Sequence, residues 1–375
     1  MTTTETTIQT QSEPLSRLND RQSESLTGWL MASPAILLLL GFLIIPFFFA
    51  FIYSFTNQRL ISPNPTEFVG LTNFKRLLTV RVLRLEPVTD EASGQPVLND
   101  EGNYTYPRVR EYTRNNPDYP QYDGLQEWTY FDIGQTRWML LAGDAVFMKS
   151  LVNTFYFAIF IIPLQGGVGL VLALLINERT RGVNIFRTIY FMPVVVSMVV
   201  VSILWSFIYD GQNGLLNNML EVVTFGHFNP VDWLGNPSTA LPAIIVMSAW
   251  QGVGFHMIIW LAGLQTISYS LYEAADIDGA NTWQKFLYVT WPGLRNTAIF
   301  VFVTITMQAF GLFTQIDVMT RGGPLDSTTT VIFQAVQQGF EKQNIAYGSA
   351  ISVVFFIMVL SVALIQRYLT REKAV

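Results

Sequence analysis

Apolar residues in this chain gather in six long uncharged runs, at 28–58, 150–177, 188–209, 234–272, 296–316 and 343–366. A helix needs about 20 apolar residues to cross the ~30 Å hydrocarbon layer of a bilayer at ~1.5 Å per residue. Every run reaches that length, so the pattern predicts six transmembrane helices, the first at 28–57. Pro163, Pro193 and Pro242 lie within or at the start of such runs. Membrane helices tolerate proline where neighbours satisfy the freed carbonyls. Residues 1–27 are rich in Thr, Gln and Ser and read as a disordered tail.

The cations orient the spans, because short cytoplasmic loops are enriched in Lys and Arg. Arg179, Arg181 and Arg187 crowd the link between the second and third runs, and Arg367, Arg371 and Lys373 follow the last. Arg17 and Arg21 precede the first, whereas the link 210–234 has no Lys or Arg. Both termini are therefore expected in the cytoplasm, and the first run reads as an uncleaved anchor. Segment 58–147 then lies outside, and 148–375 holds the remaining spans. Between Glu86 and Asp144 this outer segment carries eleven acids, four Arg and nine aromatic residues. That aromatic density predicts a folded subdomain, which either docks a partner or packs on its own membrane domain.

Composition narrows the function. Half the residues are apolar and 13% are charged, against roughly 25% charged in soluble proteins; mean hydropathy is +0.34. A net charge of −5 leaves no basic face for nucleic acid. Cys is absent, and the two His, at 227 and 256, are too few and too scattered for a metal cage. No phosphate-binding Gly-rich loop followed by Lys, no HExxH and no nucleophilic triad occurs, so the chain is expected neither to bind a cofactor nor to be an enzyme. The runs contain no Asp, Glu, Lys or Arg. A proton-driven carrier normally needs a titrating carboxylate there, so energy for transport would come from elsewhere.

Two features carry chemistry. Thr304, Gln308, Gly311 and Gln315 recur at spacings of four, three and four on the fifth run, and Ser248, Gln251, Gly252 and Phe255 cluster on the fourth. Amides that donate and accept, beside an aromatic face, suit a neutral carbohydrate. Small and polar residues also glue helices together; Gly252, Gly311, His256 and Trp250 are assigned to packing on that ground, and Gln251, Phe255 and Gln308 to a pathway. The second feature is the loop 268–292, predicted as two short helices broken at Gly279. Ser268 or Ser270 caps the first, Glu273, Asp276 and Asp278 make it acidic, and Pro292 ends the second. Ala274, Ala275 and Ala280 permit close approach, and Phe286 and Val289 offer apolar contact to a partner's groove.

This loop resembles the EAA signature of ABC-importer permeases. Glu273-Ala-Ala, Gly279 six residues later, then Val289 and Pro292 fall in place, and Asp278-Gly279-Ala280 with Phe286 is the sugar-importer form. Similar stretches include Phe68-Val-Gly-Leu-Thr-Asn-Phe74, Asn153-Thr154, Phe186 to Pro193, Gly214-Leu-Leu-Asn217, Trp233-Leu234 and Arg321-Gly-Gly-Pro324. The resemblance covers nearly everything except the tail and about sixty to seventy residues inserted after Phe74. It implies a type I ABC-importer permease: an all-α membrane protein of six spans with an extracytoplasmic insertion between the first and second.

By that resemblance, the chain would be one of two related permeases of a maltose-transporter-like importer in a prokaryotic inner membrane. Two ATPase subunits would bind ATP and Mg, and an external solute-binding protein would deliver the sugar. The loop would couple to the ATPase through Glu273, Ala274, Ala275, Asp278, Gly279, Ala280, Phe286 and Pro292. The family's sugar contacts fall on Ser248, Gly252, Phe255, Gln308 and Leu312; Gln251 and Gln315 join them by their place on the two polar faces. At Ser248, Gln308 and Leu312 the residue type departs from the family's amide, aromatic and amide, so the resemblance carries the location and not maltose itself. The alternatives are the same machine for a glycerol-phosphate-type solute and a membrane-anchored scaffold or sensor.

Overall fold

The computed structural model describes residues 16–90, 95–177 and 182–370, by backbone alone at 16–24 and 26. The tail through residue 15, Arg179, Arg181, Arg371 and Lys373 lie outside the described residues. The chain divides into two units, Met1–Ile52 and Tyr53–Val375.

The first unit is a helical rod: α1 (Ser16–Leu39), a π turn over Leu40–Ile44, and α2 (Ile45–Tyr53), whose last residue opens the second unit. Helix begins at Ser16, so the stretch expected to lack structure up to residue 27 is helical over its second half. The segment Thr27–Tyr53 is long and apolar enough to cross a membrane. Phe42 and Leu43 are 81% and 65% exposed; a rod apolar on all sides belongs in lipid or against protein.

In the second unit the inserted segment is not helical. Strands β1 (Val80–Leu85), β2 (Gln126–Ile133) and β3 (Thr136–Ala142) form an antiparallel sheet in the order β1-β3-β2. Leu83, Leu85, Val109, Met139 and Leu141 make its core, with Tyr106, Tyr112 and Tyr122 packed around them. This segment is built on a sheet, so the all-α description holds for the helical bundle only. Arg137 lies 4.2 and 4.1 Å from the ring centroids of Tyr106 and Tyr130 and makes two 2.9 Å hydrogen bonds to Asp132. Those bonds hold the Asp132 carboxyl below its ordinary pKa.

Seven helices build the bundle and its loop: α3 (Ala145–Ile176), α4 (Val183–Val195), α5 (Met198–Ile208), α6 (Ala240–Leu264), α7 (Tyr269–Ile277), α8 (Thr282–Lys285) and α9 (Arg295–Phe310). Helices α10 (Thr314–Met319) and α11 (Ile345–Thr370) follow, with short helices over Leu215–Val223 and Val331–Val336 between the longer ones. Among the described residues four helices are long and apolar enough to span a bilayer: the first rod, α3, α6 and α11. The third run is instead the pair α4 and α5, bent by 98°, because Val196 and Ser197 adopt extended backbone at ψ 136° and 135°. The fifth run is α9, whose 16 residues reach only about 24 Å.

Helix α6 is the centre of the bundle, burying Ile244, Met247, Met257 and Trp260. Trp260 donates its indole N–H to the Gly166 carbonyl on α3 at 3.0 Å. Gly169 lets the two helices meet closely, since a Cβ there would lie 3.3 Å from the Met257 nitrogen.

Asp144, buried just after β3, ties the sheet to this bundle. It caps α3 by accepting from the Phe147 N–H at 2.9 Å, and also accepts from the Gln334 amide at 3.3 Å and the Tyr347 hydroxyl at 2.5 Å. The Arg76 guanidinium covers the Tyr347 ring at 4.5 Å. Asp144→Ala removes a cap and strands two buried donors, so it is expected to destabilise the protein by about 2–4 kcal/mol. A lowered unfolding temperature of the purified protein in detergent checks this, and an unchanged one contradicts it.

Candidate functional site

Six of the seven solute-contact residues expected from sequence converge on one cavity of about 540 Å³. Helix α6 contributes Ser248, Gln251, Gly252 and Phe255, α9 contributes Gln308, and α10 contributes Gln315. On α6 these side chains recur at helical spacing and so share a face. The fifth run does not give the continuous face its spacing predicted. Helix α9 ends at Phe310 and the chain restarts as α10 at Thr314, yet Gln308, Gly311 and Gln315 still line the cavity. Thr304 lies off the cavity, and its hydroxyl donates to the Phe300 carbonyl at 2.8 Å.

Leu312 is the exception among the seven. It falls in the break between the two helices, is 2% exposed, and packs in the core while its carbonyl accepts from the Thr330 hydroxyl at 2.8 Å. Its side chain is absent from the cavity lining. The expected position holds only for an unbroken helix, and the helix breaks here.

Sequence reasoning missed Gln165. This amide of α3 is buried, lines the cavity and donates to the Ser248 carbonyl at 3.2 Å. A Cβ on Gly252 would come within 1.8 Å of its nitrogen, so Gly252 is the seat of Gln165. The available signal was an amide midway along a run whose other amides, Asn153 and Asn177, lie at its ends. The Ser248 hydroxyl lies beside it, buried and without a hydrogen-bond partner among the described residues. His256, one turn on, is fully buried and hydrogen-bonds through Nδ1 to the Gly252 carbonyl at 3.0 Å. Trp250, expected in packing, is 46% exposed and stands beside Trp205.

No Asp, Glu, Lys, Arg or His lines the cavity among the described residues. Its polar groups are the amides of Gln165, Gln251, Gln308 and Gln315 and the hydroxyls of Ser248 and Thr314, with Phe157 and Phe255 as aromatic walls. Such a lining exchanges hydrogen bonds with hydroxyls and stacks on a ring, but gives a charged group no counter-ion.

The second candidate surface is the loop between α6 and α9. Helix α7 ends in a Schellman motif: the Ala280 N–H donates to the Ala275 carbonyl at 2.9 Å and the Gly279 N–H to the Asp276 carbonyl at 3.1 Å. Gly279 has φ +73°, and a Cβ there would meet open space, so the turn requires glycine for its backbone alone. Asn281 and Gln284 form a capping box on α8. An Asp276–Lys285 ion pair and a 2.9 Å Tyr272–Thr290 hydroxyl contact fasten α7 to the following segment.

Two local expectations differ. Ser268 occupies the N-cap of α7, but its hydroxyl meets Ser270 at 2.8 Å and no side-chain cap bond forms. Pro292 does not end a helix, since a π turn over Phe286–Thr290 leads into Trp291–Gly293 and on to α9.

Glu273, Ala274, Asp278 and Gly279 are exposed, Ala275 and Ala280 half-buried. The Glu273 carboxylate makes no ion pair or side-chain hydrogen bond among the described residues. Phe286 is half-buried against the core and stacked on Trp283 at 5.5 Å. The outward apolar groups include Ile277, 87% exposed, Tyr288, 73% exposed, and Trp283, 67% exposed.

The family model described as binding-protein-dependent transport system inner membrane component matches residues 165–375. A probable ABC transporter permease protein of Pyrococcus horikoshii is 36% identical over 236 residues, covering 63% of this chain and 80% of that one. The trehalose/maltose transport system permease protein of Thermococcus litoralis is 33% identical over 233 residues, 62% of this chain and 78% of that one. Among solved structures, a bacterial ABC transporter involved in import of the acidic polysaccharide alginate superposes with a TM-score of 0.67 over 96% of this chain and 100% of that one, at 19% identity. At that identity the likeness concerns the fold.

Proposed function

The chain belongs to the family of binding-protein-dependent transport system inner membrane components, and from that premise we propose that it is the permease subunit of a carbohydrate ABC importer. It forms half of the pathway for a neutral sugar, oligosaccharide or sugar-derived osmolyte in the inner membrane, with both termini in the cytoplasm. A second related permease forms the other half, and an external solute-binding protein delivers the solute. Two ATPase subunits carrying ATP and Mg drive the cycle, and this chain hydrolyses nothing.

The observation that carries this reading is the uncharged, amide-rich cavity between α3, α6, α9 and α10. A glycerol-phosphate-type solute would need a cation there, and the lining holds none. The trehalose/maltose relative supports the same class of solute. The exposed, unpaired Glu273 and the rigid turn at Gly279 support the loop as the ATPase contact, which would move as a rigid body when the ATPases close.

The test is uptake into proteoliposomes that hold this chain with its co-expressed partners and binding protein. Accumulation of a neutral sugar is the expected result. Accumulation confined to phosphorylated polyols would overturn the substrate class while leaving the machine in place.

A further inference from the structure

We propose that the groove between α9 and the end of α11 binds an anionic phospholipid, its phosphate on Arg295 and an acyl chain along Ala298, Phe302 and Leu369. The groove has a volume of about 500 Å³ and its walls are almost wholly apolar. One of its polar groups, the Gln366 amide, already donates to the Thr306 hydroxyl at 2.8 Å. Arg295 stands at its mouth as the first residue of α9, exposed and without an ion pair or side-chain hydrogen bond among the described residues. Trp291, 42% exposed, lies beside it, as tryptophan does at the headgroup level of membrane proteins.

Membrane charge favours this occupant. Arg367 lies in the last turn of α11, and Arg371 and Lys373 follow in sequence. The Lys and Arg pattern assigns this end to the cytoplasmic face, whose leaflet carries the anionic headgroups. A guanidinium binds phosphate through paired N–H donors, and the groove below it accepts a chain of methylenes. A partner's apolar helix laid here would bury Arg295 without a counter-charge, which is costly. The proposal rests on the reading of the chain as a membrane-embedded permease and on nothing about its solute. The groove also borders the loop, since Trp291 and Pro292 line it and Phe286 lies 6.4 Å from Trp291.

Native mass spectrometry of the full co-purified complex tests this, with phosphatidylglycerol and phosphatidylcholine titrated in competition. Wild type is expected to retain phosphatidylglycerol preferentially, and Arg295→Gln to lower that retention about tenfold while leaving phosphatidylcholine unchanged. Equal retention of the two lipids by wild type would overturn the site whether or not the variant folds. A photo-crosslinker at Leu369, 74% exposed, separates the remaining occupants: capture of lipid supports the proposal, and capture of a partner helix overturns it. Neither readout involves solute or ATP, so failure here is distinct from failure of the transport reading.

Discussion

Replacing Glu273 with Lys is expected to abolish solute-stimulated ATP hydrolysis while leaving the chain folded and at least partly assembled. Folding is spared because the carboxylate is exposed and makes no ion pair among the described residues, unlike Asp276, which is tied to Lys285. Around it the backbone is fixed on both sides, by the Schellman turn at Gly279 and by the capping box on α8. A charge held rigidly on an outward helix is suited to a cation in a partner's cleft. Breaking such a pair from one side, once buried in the assembly, costs about 3–5 kcal/mol, which corresponds to a loss of coupling on the order of 10²–10⁴-fold. Basal ATPase activity and the unfolding temperature of the isolated permease should stay near wild type. Normal stimulation in the variant would remove Glu273 from the contact.

The second large effect is expected at Gln308. Its amide lines the cavity from the last turns of α9, opposite the α6 face that carries Gln251 and Phe255. Gln308→Ala deletes a donor and an acceptor, leaving solute hydroxyls without those partners. A loss of about 1–3 kcal/mol per unmade bond lowers uptake by roughly 10- to 100-fold and shifts preference among sugars that differ in one hydroxyl. The bundle should keep its stability, because this side chain is exposed to the cavity rather than packed. Unchanged uptake across a panel of sugars would return Gln308 to helix packing.

The first effect falls where the sequence was most legible, and the second beside the break that it did not reveal. The loop is a local object: its turn and its acids lie within 25 residues of one another (268–292), so spacing located them, whereas its outward apolar groups include Ile277 and Trp283 rather than the expected Phe286. The α6 face was readable for the same reason, as an unbroken helix repeats its faces. Gly311 and Val196 mark where that logic stopped. Glycine and β-branched residues are common inside membrane helices, so composition did not distinguish a continuous span from one that breaks after Phe310 or bends after Val195. Leu312, placed by the resemblance, falls within that break.

Contacts between distant parts of the chain were beyond reach. Asp144 meets Gln334 and Tyr347 across 190 and 203 residues, and Gln165 meets α6 across 83. Nothing in a single sequence pairs such positions. The sheet of the insertion has the same origin, because β1 finds β3 across the intervening aromatic segment. Its tyrosines and tryptophans predicted a core without revealing whether strands or helices would surround it.

An uncharged cavity in this chain, coupled to ATP hydrolysis in its partners, is the centre of the proposed mechanism. ATPase activity of the co-purified complex in lipid tests it most directly, with the binding protein present and a panel of disaccharides, glycosides and glycerol phosphates. Stimulation by a neutral sugar, abolished by Glu273→Lys, is the predicted result. Stimulation by glycerol phosphates alone would contradict the cavity's assignment, and a complex that purifies without any ATPase would contradict the coupling itself.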